Sequence, residues 1–263
     1  MLPREMARGT AEERGADAQL TPDHERPEVA YGRYTAYFEL FNRELKRLTA
    51  PGGLRVCDIG GGAHPAIKLE RIARQQLDYV VTDIDEEELA MAPAEYSKVG
   101  GDMLERDTAQ RLLEQGGPFD LVFSRWAAEH MRDGRAFHEN VLSVLRPGGV
   151  ALHLFPTLYS LPFTVNKLLP DRLSKGVLFG ITDREVKFPA HYSWCRGPTR
   201  GQLARLRALG YEIDRYVGFF GHGFYRGVPP LNALQRRTTE TMLRHPRPAF
   251  TTFALVVVKR PAG

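Results

Sequence analysis

The feature that most constrains this chain is an alternation. Short apolar runs recur between residues 54 and 156, each followed by a stretch with polar and apolar faces. LRVCDI (54–59), DYVVTDI (78–84), SKVGGD (97–102), FDLVFS (119–124) and VALHLFP (150–156) read as strands. PAIKLERIARQQ (65–76), a segment from Asp85 through Ala94, DTAQRLLEQ (107–115) and GRAFHENVLSVL (134–145) read as helices. Strands that are apolar along their length are covered on both faces, and helical crossovers between them make neighbours parallel. The expected architecture is α/β, three layers, with a mostly parallel sheet at the centre.

Local punctuation agrees with that reading. Pro65 suits a first helical turn, and Asp85 followed by Glu88 has the capping-box spacing. Gly116-Gly117-Pro118 and RPGG (146–149) stop helices. Upstream, Tyr31, Tyr34, Phe38, Phe41, Leu45 and Leu48 follow helical spacing and predict an amphipathic helix ended by Pro51-Gly52-Gly53. Residues 1–27 have few large apolar side chains and are expected to be a disordered tail. Residues 28–263 are expected to form one domain. Within it, residues 158–198 carry apolar clusters and four prolines without a clean period. They are expected to be an insertion serving as a lid or a substrate-facing wall. Regularity returns with TRGQLARLRALG (a helix), YEIDRYVGFF (211–220, a strand), residues 229–246 (a helix) and TTFALVVVKR (251–260, a strand).

Composition matters at three points. No window approaches 18 uninterrupted apolar residues, and the N-terminus is charged from Arg4, so neither a membrane span nor a secretory signal is expected. Cys57 and Cys195 stand far apart, which predicts neither a disulfide framework nor a metal cluster. The expected location is cytoplasmic. The net charge of +4 is uneven: residues 1–29 hold four Arg against seven Asp or Glu, leaving +7 on the remainder. That excess suits an anionic substrate, a membrane surface in peripheral contact, or nucleic acid; scattered solvated arginines are the plainer reading.

The most informative turn is VCDIGGGAHP (56–65). Ligands of open parallel sheets lie at strand carboxyl ends where the strand order reverses. Gly60, Gly61 and Gly62 let a ligand approach the backbone without meeting a Cβ. A dinucleotide-binding turn would carry G-x-G-x-x-G, but the third glycine slot holds Pro65. Asp58 would repel a pyrophosphate. It fits a cationic ligand such as S-adenosylmethionine, whose ammonium it could favour. Asp83 lies 23 residues after Gly60 and can accept from two ribose hydroxyls. Asp102 can accept from an adenine amino group, with Met103 packing on the ring. Ser124, Arg125 and Trp126 end the fourth strand beside the methionine portion.

These residues resemble the class I S-adenosylmethionine-dependent methyltransferases. VCDIGGGA, VVTDID with Asp83 and Ile84, GGDM, FDLVFSRWAAEHMRD and VLRPGGVALHLF carry the resemblance, across about residues 30–157. It implies a Rossmann-like, seven-stranded sheet with an antiparallel last strand, which TTFALVVVKR would supply. It also implies a cofactor, S-adenosyl-L-methionine, leaving as S-adenosyl-L-homocysteine, and an N-terminal helix from which Tyr31 or Tyr34, or else Arg33, reaches the methionine carboxylate. His64 stands where the family often has a further glycine, so contacts at that turn are open.

For the acceptor, an oxygen nucleophile benefits from a base near neutral pH. His130, His191 and His222 are the candidates, with Glu129 able to orient one of them. His153 alternates within a strand and reads as structural. Leu158, Leu161, Phe163, Val165, Leu168 and Leu169 suggest an apolar wall. The expected activity is metal-independent O-methylation of a small, lipophilic or glycosylated metabolite by in-line displacement. The rivals are an RNA methyltransferase, a non-catalytic cofactor-binding protein and a nicotinamide oxidoreductase. No dense basic run with interleaved aromatics appears, so no nucleic-acid partner is expected. A monomer and a homodimer are both left open.

Overall fold

The computed structural model describes residues 20–158, 189–225, 227 and 229–263. Its strands are β1 (Thr21–Pro22), β2 (Val29–Arg33), β3 (Arg55–Ile59), β4 (Asp78–Asp83), β5 (Ser97–Gly100), β6 (Phe119–Arg125), β7 (Leu145–Pro156), β8 (Glu212–Phe220) and β9 (Phe253–Lys259). Its α-helices are α1 (Tyr37–Leu48), α2 (Leu69–Gln75), α3 (Glu86–Met91), α4 (Arg106–Glu114), α5 (Gly134–Val144), α6 (Arg200–Ala208) and α7 (Pro229–Arg244). The strands form one sheet in the order β1-β2-β8-β9-β7-β6-β3-β4-β5. β3, β4, β5, β6 and β7 pair in parallel, while β9 is antiparallel to both β7 and β8. The expected seven-stranded sheet with a reversed last strand is therefore present. Two further strands extend it beyond β8.

Each central strand feeds two cores, because successive side chains point to opposite faces. Cys57, Val80, Val122, Ala151 and Val256 face one cluster, capped by Ala109 and Leu112 of α4, Val141 of α5 and Leu203 of α6. Val56, Val81, Leu121, Leu152 and Leu255 face the other, capped by Leu40, Phe41 and Leu45 of α1 and Leu89 of α3. These faces make the three layers.

Three sequence expectations change at their edges. Tyr31 does not begin a helix: Val29–Arg33 is β2, parallel to β8. Its ring stacks on Phe220 at 5.6 Å, and its hydroxyl meets Arg26 at 2.9 Å. Gly32 disfavours a helix, and a Cβ there would come within 2.9 Å of Leu20. The helical spacing through Tyr31 and Tyr34 is a coincidence of aromatic positions on two different elements. Second, Leu20 to Pro27 belong to the fold: Thr21–Pro22 pairs with β2, and Arg26 donates to the Pro198 carbonyl at 2.6 Å. Residues 1–19 of the expected tail lie outside the described residues. Third, α2 begins at Leu69, four residues past Pro65, because side chains take the intervening backbone groups. Asp58 Oδ2 accepts from Ala66 N at 2.8 Å, Ile67 N donates to the Tyr79 hydroxyl at 3.3 Å, and Tyr96 donates to the Ile67 carbonyl at 3.0 Å.

Of the expected insertion, residues 159–188 lie outside the described residues. Its returning end packs on the body. Gly134 N donates to Ser193 Oγ at 2.8 Å, Tyr216 donates to the Arg196 carbonyl at 2.7 Å, and Leu158 N donates to the Cys195 carbonyl at 3.1 Å.

Candidate cofactor and acceptor site

The strand order reverses between β3 and β6, so their carboxyl ends flank a crevice. The turn after β3 crosses it tightly. Gly60 has φ 74° and Gly62 φ 41°, conformations that side chains rarely adopt. A Cβ on Gly60 would come within 2.6 Å of Ala127 on the turn after β6. One on Gly61 would come within 2.6 Å of Val81 and 3.1 Å of Asp58, and one on Gly62 within 3.0 Å of Asp83 Oδ2. The three glycines thus bring the β3, β4 and β6 ends together before any ligand is considered.

Asp58 is buried, and both of its hydrogen bonds go to Oδ2, from Ala66 N and from the Tyr79 hydroxyl at 2.5 Å. Burial pushes its carboxyl upward, against those two donors and Arg125, which lower it. Its first task is to pin the loop between Gly60 and α2. Asp83, at the β4 tip, accepts from Asp85 N through Oδ1 at 3.0 Å and takes a further backbone hydrogen bond from Ile84, with Oδ2 beside Gly62. Burial raises this carboxyl too. Ile84 follows it with 61% of its surface exposed, an apolar group standing at the rim. At the β5 end, Asp102 Oδ1 accepts from Leu104 N at 2.9 Å. Met103 is 2% exposed and packs within the core cluster, so it does not offer the rim contact expected for a purine ring.

At the β6 end the three expected residues separate. Ser124 is fully buried and bonded to His153 Nδ1 at 2.8 Å, inside the core rather than at the rim. Arg125 lies 5.6 Å from the Phe38 ring, over the edge of α1. Trp126 has φ 61° and sets its ring edge-on to Tyr37 at 5.2 Å and Phe253 at 5.5 Å, forming a wall. Tyr34 sits in a short 3-10 turn (Tyr34–Ala36) ahead of α1, its ring 3.2 Å from where a Cβ on Gly221 would be. Arg33 is paired with Glu240 on α7. This engagement removes it from the free cations.

Two candidate histidines, 61 residues apart in sequence, arrive at one place. The Glu129 carbonyl accepts from His191 N at 2.8 Å and Tyr192 N at 2.9 Å, and His130 Nδ1 meets the Pro189 carbonyl at 3.1 Å. A carbonyl only accepts, so Nδ1 carries the hydrogen and a neutral His130 ring presents Nε2 as the acceptor. Nε2 lies 3.8 Å from Glu129 Oε1. Glu129 is 5% exposed, its Oε2 has no partner, and burial raises its carboxyl to about 8. Trp126, Tyr192 and Trp194 are three of the four non-glycine residues with positive φ among the described residues, and Tyr192 is the one hydrogen-bonded to the Glu129 carbonyl. Backbone strain of this kind gathers at functional sites. Glu129 was foreseeable only as an orienting group, because its setting is made by residues 189–192. His222 is separate: it follows β8, is 6% exposed and lies between Phe224 and Tyr225, and burial lowers it to about 4. His153 is structural, as its alternation indicated. No group of three potential metal ligands occurs among the described residues.

Comparisons with known proteins bear on this edge. A family profile described as "Methyltransferase domain" matches residues 29–213. An uncharacterized methyltransferase of Mycobacterium sp. (strain KMS) is 35% identical over 115 residues, 44% of this chain and 43% of that protein. A ubiquinone biosynthesis O-methyltransferase of Rhizobium rhizogenes is 33% identical over 113 residues, 43% of this chain and 45% of that protein. The chain spans less than half the length of these relatives. Among solved structures, a SAM-dependent methyltransferase from Archaeoglobus fulgidus superposes with a TM-score of 0.52 at 17% identity, covering 85% of this chain and 94% of that one. At that identity the likeness speaks for the fold.

Proposed function

This chain belongs to the class I S-adenosylmethionine-dependent methyltransferase family, and from that premise we propose that it methylates an oxygen of a small, lipophilic or glycosylated acceptor. The observation that carries the reading is a single sheet edge. It brings together the glycine turn at Gly60–Gly62, the Asp83 carboxyl, the exposed Ile84, the Trp126 wall and the Glu129–His130 pair. These groups fit an adenosine and an amino-acid portion lying across the crevice. Asp83 would accept from the ribose, Ile84 would lie against the base, and Asp102 would accept from its amino group. Asp58, Tyr34 and the backbone of the glycine turn would serve the methionine end, with Arg125 beside them. The cofactor supplies a methyl group on sulfur, which an in-line nucleophile displaces.

Of the three histidines, His130 is best placed as the base. Its Nδ1 is fixed by a carbonyl, so Nε2 takes the proton as the acceptor oxygen attacks. Glu129 Oε1 lies 3.8 Å from that same Nε2; burial keeps its carboxyl protonated up to about pH 8, and once ionised it would favour the charged ring. His191 shares the locus through its backbone, and His222 is enclosed by rings. A relative named for O-methylation favours oxygen as the nucleophile. The apolar run from Leu158 to Leu169 favours a lipophilic acceptor. The test is transfer of labelled methyl from S-adenosylmethionine to a panel of phenols, lipid-linked alcohols, amines and RNA. Label in the phenols or alcohols supports the reading; label only in amines or RNA overturns it.

A further inference from the structure

The helix whose surface the fold does not account for is α7. Its inward side carries Asn232, Gln235 and Thr239, joined by Met242 and Leu243 near its end. Its leucines near the start face outward instead: Leu231 is 44% exposed and Leu234 63%. Phe250, six residues past the helix, is 57% exposed. Arg236, Arg237, Arg244 and Arg247 are exposed, and none has an ion-pair partner among the described residues. Elsewhere arginines are commonly paired, as Arg200 is with Glu25, Arg207 with Glu28 and Arg135 with Glu139. The only acid on α7, Glu240, is taken by Arg33. Arg236 and Arg237, with Pro229, Asn232 and Ala233, border a groove of about 430 Å³.

Leu231, Leu234 and Arg237 succeed one another at spacings of three, so apolar and cationic groups share the outward side of the helix. Exposed leucines rimmed by arginines match the chemistry of an interfacial helix. We propose that α7 docks on an anionic phospholipid surface. Leu231, Leu234 and Phe250 enter the acyl boundary, and Arg237, Arg244 and Arg247 meet headgroup phosphates. Charge complementarity selects this occupant: Arg237, Arg244 and Arg247 have no ion-pair partner among the described residues, and the one acid of α7, Glu240, is held by Arg33. The helix also stands at the site's edge. A Cβ on Gly221 would lie 2.7 Å from Thr239, 2.8 Å from Gln235 and 3.2 Å from Tyr34. Docking through α7 therefore brings that end of the sheet edge to the bilayer, where a lipophilic acceptor would be found. Delivery of the acceptor rests on the functional reading above; the docking does not.

The test is co-sedimentation of the full chain with vesicles of phosphatidylcholine alone and of phosphatidylcholine mixed equally with phosphatidylglycerol. The expected result is binding to the mixed vesicles only, reversed by salt. Arg237→Gln/Arg244→Gln and Leu231→Ser/Leu234→Ser each lower partitioning by roughly tenfold or more. Arg43→Gln on α1, an exposed arginine of the same charge, leaves it unchanged. Circular dichroism and S-adenosylhomocysteine calorimetry on every variant separate a lost surface from a lost fold. Equal binding to both vesicle types, no binding, or variants that bind like wild type would each overturn the proposal. So would single-stranded RNA that binds through the same arginines while the vesicles do not. If the vesicles bind as expected and S-adenosylhomocysteine does not, the docking stands and the functional reading falls.

Discussion

Asp83 shows how one side chain can be half committed to the fold and half available. Its Oδ1 caps the chain at Asp85 N, while Oδ2 lies beside Gly62 at the crevice. Replacing it with Ala is expected to weaken S-adenosylhomocysteine binding at least about tenfold, because two hydroxyls lose a charged acceptor. Calorimetry on the folded variant checks this, and unchanged affinity would remove Asp83 from the ribose. A second expectation concerns His130. His130→Ala should lower turnover by about a hundredfold or more while cofactor affinity stays within a factor of about two. Glu129→Gln should shift the alkaline limb of the rate profile, since its carboxyl titrates at about 8. A variant rate equal to wild type across the pH range would show that proximity alone carries the chemistry. Asp83 was legible in sequence because it ends an apolar run. Glu129 was only partly so, because a buried, partnerless carboxyl is made by chain 60 residues away. Met103 and Ser124 were misplaced for the opposite reason: strand-end position does not say which face a side chain takes.

At the scale of an element, the loop between β3 and α2 is the part the glycine motif understates. Its backbone is held by three side-chain contacts, from Asp58, Tyr79 and Tyr96, rather than by helix. Tyr79→Phe removes the donor to Asp58 and leaves a buried carboxylate with one partner fewer. It is expected to destabilise the protein by about 1–3 kcal/mol and to loosen the cofactor turn as well. Denaturant unfolding measures the first effect and calorimetry with S-adenosylhomocysteine the second. A wild-type midpoint would mean that the hydroxyl contributes nothing there. The same element shows why helix boundaries drifted in the sequence reading. Pro65 is compatible with a first helical turn, but nothing local reveals that distant tyrosines claim the next amide and carbonyl. Likewise the strand character of Val29–Arg33 comes from β8, some 185 residues away, and the aromatic spacing concealed it.

Across the whole molecule, the alternation of apolar runs carried most of the fold. The order of the seven-stranded part and its reversed last strand follow from it together with the family resemblance. The two added edge strands did not, since β1 has only two residues and an ordinary composition. Titration adds a property of the whole. Burial lowers His138 and His222 to about 4 and His153 well below its usual 6.5. The unfolded chain therefore binds more protons between about pH 4 and 6.5, and stability falls as pH drops through that window. Glu129 acts oppositely: raised to about 8, it adds stability that fades as pH rises from 4.5 through 8. Below pH 6.5 the three histidines oppose Glu129 and the raised Asp58 and Asp83 carboxyls, and above it only the raised carboxyls act. The melting temperature is expected to peak near pH 6.5, with Glu129→Gln flattening the decline above it. A profile that is level from pH 4 to 8 would contradict this assignment.

The central claim is that the sheet edge between the β3 turn and the β4 tip holds a methyl donor. A crystal structure with S-adenosylhomocysteine tests it most directly. One molecule is expected across the β3–β6 crevice, its ribose hydroxyls on Asp83, its base against Ile84 and its sulfur facing His130. Density elsewhere on the molecule, or a crevice left empty at saturating ligand, would contradict it.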